Sequence, residues 1–413
     1  MIISRRAFLG TTLAGAGTFA MPAILRAAPG DTVHIGVITT LSGGGQIYGN
    51  YIKAGAEIAA KRLMRDGALG GAKIELVVRD DRNTPDGAVT AFREIAGSGV
   101  KLFAQGNFTA NLLGTLPLLK ETGATMMMVG PSSLALTHEA FNPQAFRIGY
   151  TSPMAFGGYG TLMAKRFPDV QKWAMTQSDV TALNDITRSF AKNLKEEAAK
   201  AGRTVEVLDP VKAMLNASDF RAQISQIMGS GAGALFNCFQ GADAISFFKQ
   251  ARGFNVEGSF KPLCDSGNEL EIAKAMGANT PASLWSWTGW YYGTKDSTIS
   301  QDAVALFKES SGNDAPSAFF GFGHDAIVTL ISGMEKAGSE ETAALVPAIE
   351  ANAPEGCLGK LIYRKEDHTF AGKLSYINFG RDEKNPKGWS VIEVAQLEGA
   401  DFLEEATPGR KLN

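Results

Sequence analysis

From residue 33 onward the chain repeats one pattern, and that pattern limits the folds open to it. Short β-rich runs alternate with stretches of helical spacing. Residues 33–39, 73–79, 100–104 and 125–129 read as strands. Between them, 51–64, 85–96 and 111–121 carry apolar residues at helical intervals, with Pro85 suited to a first helical turn. A βαβα order implies a parallel sheet with helices on both faces and right-handed crossovers. An extended stretch at 145–153 interrupts the rhythm, which then restarts. Helices at 154–166, 184–201, 219–228, 242–252 and 269–276 alternate with strands at 172–176, 204–208, 234–237 and 260–263. The expected fold class is therefore α/β, with two doubly wound parallel-sheet lobes.

The last third is different. Residues 283–292 are aromatic and extended, with Trp285, Trp287, Trp290, Tyr291 and Tyr292. A helix near 324–336 follows, then 345–351 and a polar, hairpin-like stretch from 360 to 379. At 413 residues, 45% hydrophobic and 20% charged, the chain has the size and balance of two globular domains. Its 40 basic and 42 acidic residues are interspersed, which gives no electrostatic footprint for nucleic acid.

The N-terminus reads as an export signal. Ser4-Arg5-Arg6-Ala7-Phe8-Leu9 precedes a weakly apolar run rich in Gly, Ala and Thr, which closes on Leu25-Arg26-Ala27-Ala28. The paired arginines look like a twin-arginine signal. Cleavage after Ala27 or Ala28 removes three arginines and takes the formal net charge from −2 to −5. The expected location is the periplasm, without a lipid anchor, since no Cys lies at the cleavage region. The three cysteines, Cys238, Cys264 and Cys357, form no disulfide framework. Cys238 and Cys264 pair only if their strands are neighbours; otherwise they are small buried apolar side chains.

In open parallel sheets ligands bind beyond the carboxyl ends of the strands. That rule selects 41–50, 105–111 and 130–133 in the first lobe, and 177–184, 237–242 and 264–268 in the second. All are rich in Gly, hydroxyls or amides. Free backbone N–H groups with Ser or Thr hydroxyls solvate a carboxylate without a buried cation. Thr109, Ser132 and Ser133 are placed for that role, and Asp265 for neutralising an ammonium group. The same residues also cap helices and make turns. No zinc spacing, Gly-x-Ser-x-Gly elbow or nucleotide loop occurs, so neither enzyme activity nor a cofactor or metal is expected. His324-Asp325 reads as a structural pair opening a helix.

Ile35-Gly-Val-Ile-Thr-Thr-Leu-Ser-Gly43, Tyr48-Gly49, Gly55-Ala56, Ile74-x-Leu-x-Val-x-Asp-Asp81, Thr84-Pro85 with Ala88, and Lys249-Gln-Ala-Arg252 together resemble the leucine/isoleucine/valine-binding family of periplasmic proteins. The resemblance runs from Val33 to Phe379. It implies a type I periplasmic binding fold with three hinge crossings, near 147–152, 284–291 and 357–363. The lobes would then be 29–148 plus 286–358, and 149–285 plus 359–413, after a signal at 1–28. It implies ligand contacts at Tyr48, Thr109, Ser132 or Ser133, Gln240 and Asp265, the last meeting a ligand amine. It also implies an ABC importer permease of branched-chain-amino-acid type as partner, and an amino acid or related small carboxylate or amide as ligand. The tyrosine that family members often carry after the first second-lobe strand is absent from 177–185. The alternative to transport is a sensor: the same clamp feeding a receptor or regulator.

Overall fold

The computed structural model describes residues 31–106, 108–294 and 297–411; the expected signal segment lies outside the described residues. Five parallel strands form the first sheet: β1 (Thr32–Thr39), β2 (Lys73–Asp80), β3 (Leu102–Gly106), β4 (Thr125–Val129) and β5 (Ala145–Ile148), in the order β2-β1-β3-β4-β5. The inner strands β3 and β4 are buried along their whole length, so their sequences are continuous apolar runs rather than alternations. The crossovers are α1 (Gln46–Arg65), α2 (Pro85–Gly97), α3 (Thr109–Thr115) and α4 (Leu118–Thr122). Thr84 caps α2 by accepting the Gly87 N–H at 3.0 Å, and Pro85 occupies the first turn as expected. The single helix expected over 111–121 is two, because Pro117 has no N–H to continue the ladder.

A one-turn π-helix at Pro153–Gly157 leads into the second unit through α5 (Gly158–Arg166). β6 (Lys172–Ser178), α6 (Asn184–Lys200), the short β7 (Glu206–Val207) and β8 (Val211–Ala213), α7 (Arg221–Met228), β9 (Ala234–Cys238), α8 (Ala242–Ala251), α9 (Val256–Ser259), β10 (Leu263–Asp265), α10 (Glu271–Met276) and β11 (Leu284–Trp287) follow. Both β7 and β8 pair with β6, and β9, β10 and β11 extend the sheet from its other side. Each sheet thus reverses its strand order beside its first strand, between β1 and β3 and between β6 and β9. Those are the places where an open α/β sheet leaves a crevice.

The chain then returns to the first unit through α11 (Thr298–Ser311), α12 (Ala318–Ala337) and α13 (Thr342–Glu350), with a small hairpin of β12 (Glu355–Gly356) and β13 (Gly359–Lys360). Helix α12 is buried on nearly every side and crosses α1 with almost no gap. A Cβ at Gly55 would lie 2.0 Å from the Phe320 carbonyl oxygen, and one at Gly323 would lie 2.3 Å from that of Ile52. Glycine at both positions is what lets the two backbones meet.

Leu284–Trp287 pairs fully within the second sheet and the Thr288 N–H still bonds the Ser375 carbonyl at 2.9 Å, so the second passage begins after Thr288, in the later part of the expected 284–291. The third passage lies later than 357–363. Tyr363 bonds Thr329 at 2.8 Å, the His368 imidazole bonds the Ala145 carbonyl at 2.9 Å, and Thr369 bridges to Arg147, so this stretch stays on the first unit. Only β14 (Lys373–Arg381) rejoins the second sheet, antiparallel to β11 and followed by an edge strand, β15 (Trp389–Glu398). The polar, hairpin-like stretch expected at 360–379 does hold a tight antiparallel turn, with Tyr363 bridged to Phe370 and the Arg364 N–H bonded to the Thr369 carbonyl at 2.9 Å; β14 and β15 form a second, longer hairpin after it.

His324 and Asp325 lie inside α12 rather than at its start. The Arg62 Nε donates to His324 Nε2 at 3.3 Å, and His324 Nδ1 faces Asp325 Oδ1 at 2.7 Å. Nε2 must therefore accept and Nδ1 donate, which makes the imidazole the neutral Nδ1–H tautomer. Asp325 also accepts the backbone N–H groups of Cys357 and Leu358, which pins the hairpin to the helix. Cys357 completes a buried cluster with these two residues. The neighbouring guanidinium and the full set of hydrogen bonds give it the character of an internal brace.

Candidate functional site

The carboxyl ends of both sheets face a seam between the units. On the first unit, the loop after β1 is tied down from β2. Asp80 accepts the Leu41 N–H at 2.8 Å and the Ser42 hydroxyl at 2.6 Å, and Asp81 accepts the Thr40 hydroxyl at 2.7 Å. Asp81 also takes a hydrogen bond from Asn111 of α3 at 2.8 Å, which couples the loops after β1 and β3. The Phe108 ring lies over Gly45, where a Cβ would sit 2.4 Å from it. Thr109 opens α3 and is half-buried.

Tyr48, in the first turn of α1, reaches across the seam. Its hydroxyl lies 3.3 Å from Asn268 Oδ1, and its ring centroid 4.7 Å from that of Phe319. Burial, with Asp265 and Glu269 nearby, pushes its phenol up, so it stays a neutral donor. Close by, the Tyr51 hydroxyl donates to Glu271 at 3.0 Å, and Lys274 donates to the Ala315 carbonyl at 2.7 Å.

Ser132 and Ser133 follow β4 on a segment held from beneath. Arg147 of β5 is fully buried, and its guanidinium donates to the carbonyls of Pro131 (2.6 Å) and Ser133 (2.7 Å) and to the Thr137 hydroxyl (3.1 Å). Burial lowers its pKa to about 10, which still leaves it a cation. The Ser132 carbonyl accepts the backbone N–H and hydroxyl of Ser152, at 2.8 and 3.1 Å. The Ser133 hydroxyl accepts the Ala135 N–H at 3.3 Å, the capping use of a serine.

On the second unit, Gln240 is half-buried and donates to the Ser266 hydroxyl at 2.7 Å. Asp265 ends β10 and is fully buried. Its Oδ1 accepts from Asn237 Nδ2 (3.1 Å) and Asn268 Nδ2 (2.8 Å). Its Oδ2 accepts the N–H groups of Gly267 (3.0 Å) and Asn268 (2.7 Å) and the Ser286 hydroxyl (3.1 Å). Five donors fill the carboxylate's acceptor sites, all of them from its own unit. Desolvation raises its pKa, and the donors oppose that.

Two residues of the seam were missed in the sequence reading. Asn268 accepts from Tyr48 and from the Gly241 N–H at 2.5 Å, while its amide donates to Asp265 and to the Phe239 carbonyl at 2.9 Å. It is the link between Tyr48 and Asp265. Glu269, at φ 53° just before α10, lays its carboxyl on the first N–H of α12, Ala318, with contacts of 3.1 and 3.2 Å. Burial raises its pKa to about 8. Asn268 sat inside a loop selected by the strand-end rule, whereas nothing in the sequence marked Glu269.

The structure thus brings Tyr48, Asn268 and Asp265 into one network, with Gln240 beside it on Ser266. Ser132 and Ser133 share a segment with Arg147, and Thr109 lies on the loop after β3. Grooves open along the seam. One, of about 530 Å³, takes walls from Gly43, Gly44, Tyr48, Gly241, Asn268 and Glu271. Another, of about 480 Å³, takes walls from Ser133, His138, Pro153, Asp185, Arg188 and Lys192. Cys238 and Cys264 are both free: their strands are neighbours, but Cys264 lies opposite Phe236 rather than Cys238. Burial pushes the Cys238 thiol up to about 12.

Known proteins resemble this chain along most of its length. It is 25% identical over 347 residues to Leu/Ile/Val-binding protein homolog 3 of Brucella melitensis biotype 1, covering 80% of this chain and 87% of that protein. An ABC transporter substrate-binding protein from Sphaerobacter thermophilus superposes with a TM-score of 0.77 at 21% identity, over 90% of this chain and 100% of the other. An R. palustris ABC transporter solute-binding protein, solved in complex with benzoate, superposes with a TM-score of 0.75 at 18% identity, over 92% and 100%. These structures share the two-sheet α/β architecture of type I periplasmic binding proteins, as the alternation of strands and helices implied. The periplasmic binding protein family model matches residues 32–380, and the chain belongs to that family of binding proteins, which are not enzymes.

Proposed function

We propose that the chain is the extracytoplasmic solute-binding component of an ABC importer of the branched-chain-amino-acid type. The two sheet units act as lobes that close on a small organic acid, an amino acid or a related amide. The observation that carries this reading is the seam, where Tyr48 meets Asn268 and Glu269 meets Ala318, from opposite units and at the strand ends where α/β ligands sit. A ligand there touches both lobes only when they are closed, and that difference in contact drives closure. Candidate contacts are Tyr48, Thr109, Ser132, Ser133 and Gln240. Asp265 shapes the second-lobe loop. The same reading places the mature chain in the periplasm, exported by its twin-arginine-type signal, with a membrane permease as partner.

A thermal-shift screen of the chain from Pro29 onward, unfolded and refolded to strip bound solute, tests this. A compound that binds only the folded clamp raises its apparent stability by mass action. A rise with one chemical class supports the proposal; no rise with amino acids, aromatic acids, aliphatic acids or amides contradicts it.

A further inference from the structure

The chain passes between the units once more, at its C-terminal end. β15 closes at Glu398, and a single 3₁₀ turn, Gly399–Phe402, follows it. That turn stays with the second unit. The Gly399 N–H bonds the Gly372 carbonyl at 3.1 Å, and the Phe402 ring lies beside Gly158 of α5, where a Cβ would sit 3.5 Å from it. Two residues later the chain is held by the first unit. The Glu404 carbonyl accepts from Arg364 at 2.7 Å, and its carboxylate accepts the Thr151 hydroxyl of the first passage at 3.0 Å.

His138, buried on the first unit, anchors the rest. Its Nδ1 lies 2.5 Å from the Thr407 hydroxyl, and its carbonyl accepts the Gly409 N–H at 2.6 Å. The sequence prepares that second contact. Thr407-Pro408-Gly409-Arg410 is a β-turn with Pro second and Gly, at φ 79°, third, closed by the Arg410 N–H on the Thr407 carbonyl at 3.1 Å. Lys411 then lines the groove where Ser133 and Glu139 face Asp185 and Arg188. His138 follows Ser132 and Ser133 on the same segment, so the tail grips the loop that carries two candidate contacts.

The tie is short and imperfect. Only Leu403 separates Phe402 from Glu404, and that span reaches at most about 7 Å when fully extended. With no slack there, units that swing apart pull Phe402 from α5 or Glu404 from Thr151 and Arg364. His138 Nε2 and Glu404 Oε1 face each other at 3.6 Å, both buried and neither with a hydrogen-bond partner among the described residues. Unmet polar atoms weaken the docking, because release returns both to water.

Resting on the solute-binding reading above, we infer that residues 403–411 are a releasable strap, docked on His138 when Tyr48 meets Asn268 and shed from the first unit as the lobes open. Contacts made in one arrangement and lost in the other bias the equilibrium by that difference. The strap therefore disfavours the open form and raises affinity for a solute that binds closed lobes.

The test compares the refolded mature chain with one that ends at Phe402. Small-angle X-ray scattering without solute should give the shortened chain the larger radius of gyration, although it has fewer residues. Calorimetry with a solute found in the screen should show it binding at least about tenfold more weakly. Equal radii, or equal affinities, overturn the inference and leave the solute-binding reading standing. Should the shortened chain fail to fold, hydrogen exchange on the full mature chain decides: amides of 403–411 should exchange more slowly at saturating solute, and an unchanged rate overturns the inference. Absence of binding by any compound in the screen overturns the reading beneath it, while the solute-free radii still judge the strap.

Discussion

Replacing Asp265 by alanine should damage the fold more than a ligand contact would. The side chain accepts five hydrogen bonds inside one unit, and alanine leaves Asn237, Gly267, Asn268 and Ser286 with donors facing a small void. A water in that void satisfies some of them. Two or three remain without an acceptor, at about 1–3 kcal/mol each, so the expected loss is about 2–9 kcal/mol. Urea unfolding of the solute-free protein, monitored by tryptophan fluorescence, reads this directly as a fall in midpoint at unchanged slope. Asp265→Asn, which keeps the shape and one acceptor oxygen, should lose less. A loss below about 1 kcal/mol for Asp265→Ala would refute the reasoning, because such a small change belongs to a side chain that waits for ligand rather than building its loop.

The remaining predictions concern charge, packing and thiols. Burial pushes the Glu269 carboxyl from its ordinary value of 4.5 up to about 8, so its contribution is fully present below pH 4.5 and is lost as pH rises toward 8. The limit of that loss is roughly 5 kcal/mol, and Glu269→Gln should flatten the decline in urea-unfolding stability between those pH values. Gly323→Ala drives a methyl group into the Ile52 carbonyl and should cost about 1–3 kcal/mol by thermal denaturation, despite alanine's better helix propensity. Cys238, Cys264 and Cys357 are all buried with thiols pushed up, so a thiol reagent should label none in the native protein at pH 7 and all three in guanidinium.

The alternation of strands and helices was legible because both inner sheets are buried on two faces, so runs such as Met126-Met127-Met128-Val129 carry little polar interruption. The loops at the strand ends followed from that order by a topological rule, and they do contain Tyr48, Ser132, Ser133, Gln240, Asp265 and Asn268. What each residue does there was not legible. Asp265 has the residue type of an amine acceptor and the environment of a loop keystone; only its five donors tell these apart. Arg147 was noted as a position in a crossing, because a buried cation and a surface cation look alike in sequence. Glu269 was invisible because its partner, the first N–H of α12, lies far along the chain. The edge strand β15 was missed since half-buried residues such as Ser390, Val391 and Val394 and the exposed Ile392 blur its alternation. The late third crossing depends on contacts of Tyr363 and His368 with the first unit, which are long-range and leave no local mark.

The central claim is that a small solute draws the two units together. Small-angle X-ray scattering on the refolded mature chain, with and without a solute found in the screen, tests it most directly. The account predicts a smaller radius of gyration on binding, lost when Tyr48 and Asn268 are both replaced by alanine. An unchanged radius at saturating solute, with binding established independently by calorimetry, would contradict it.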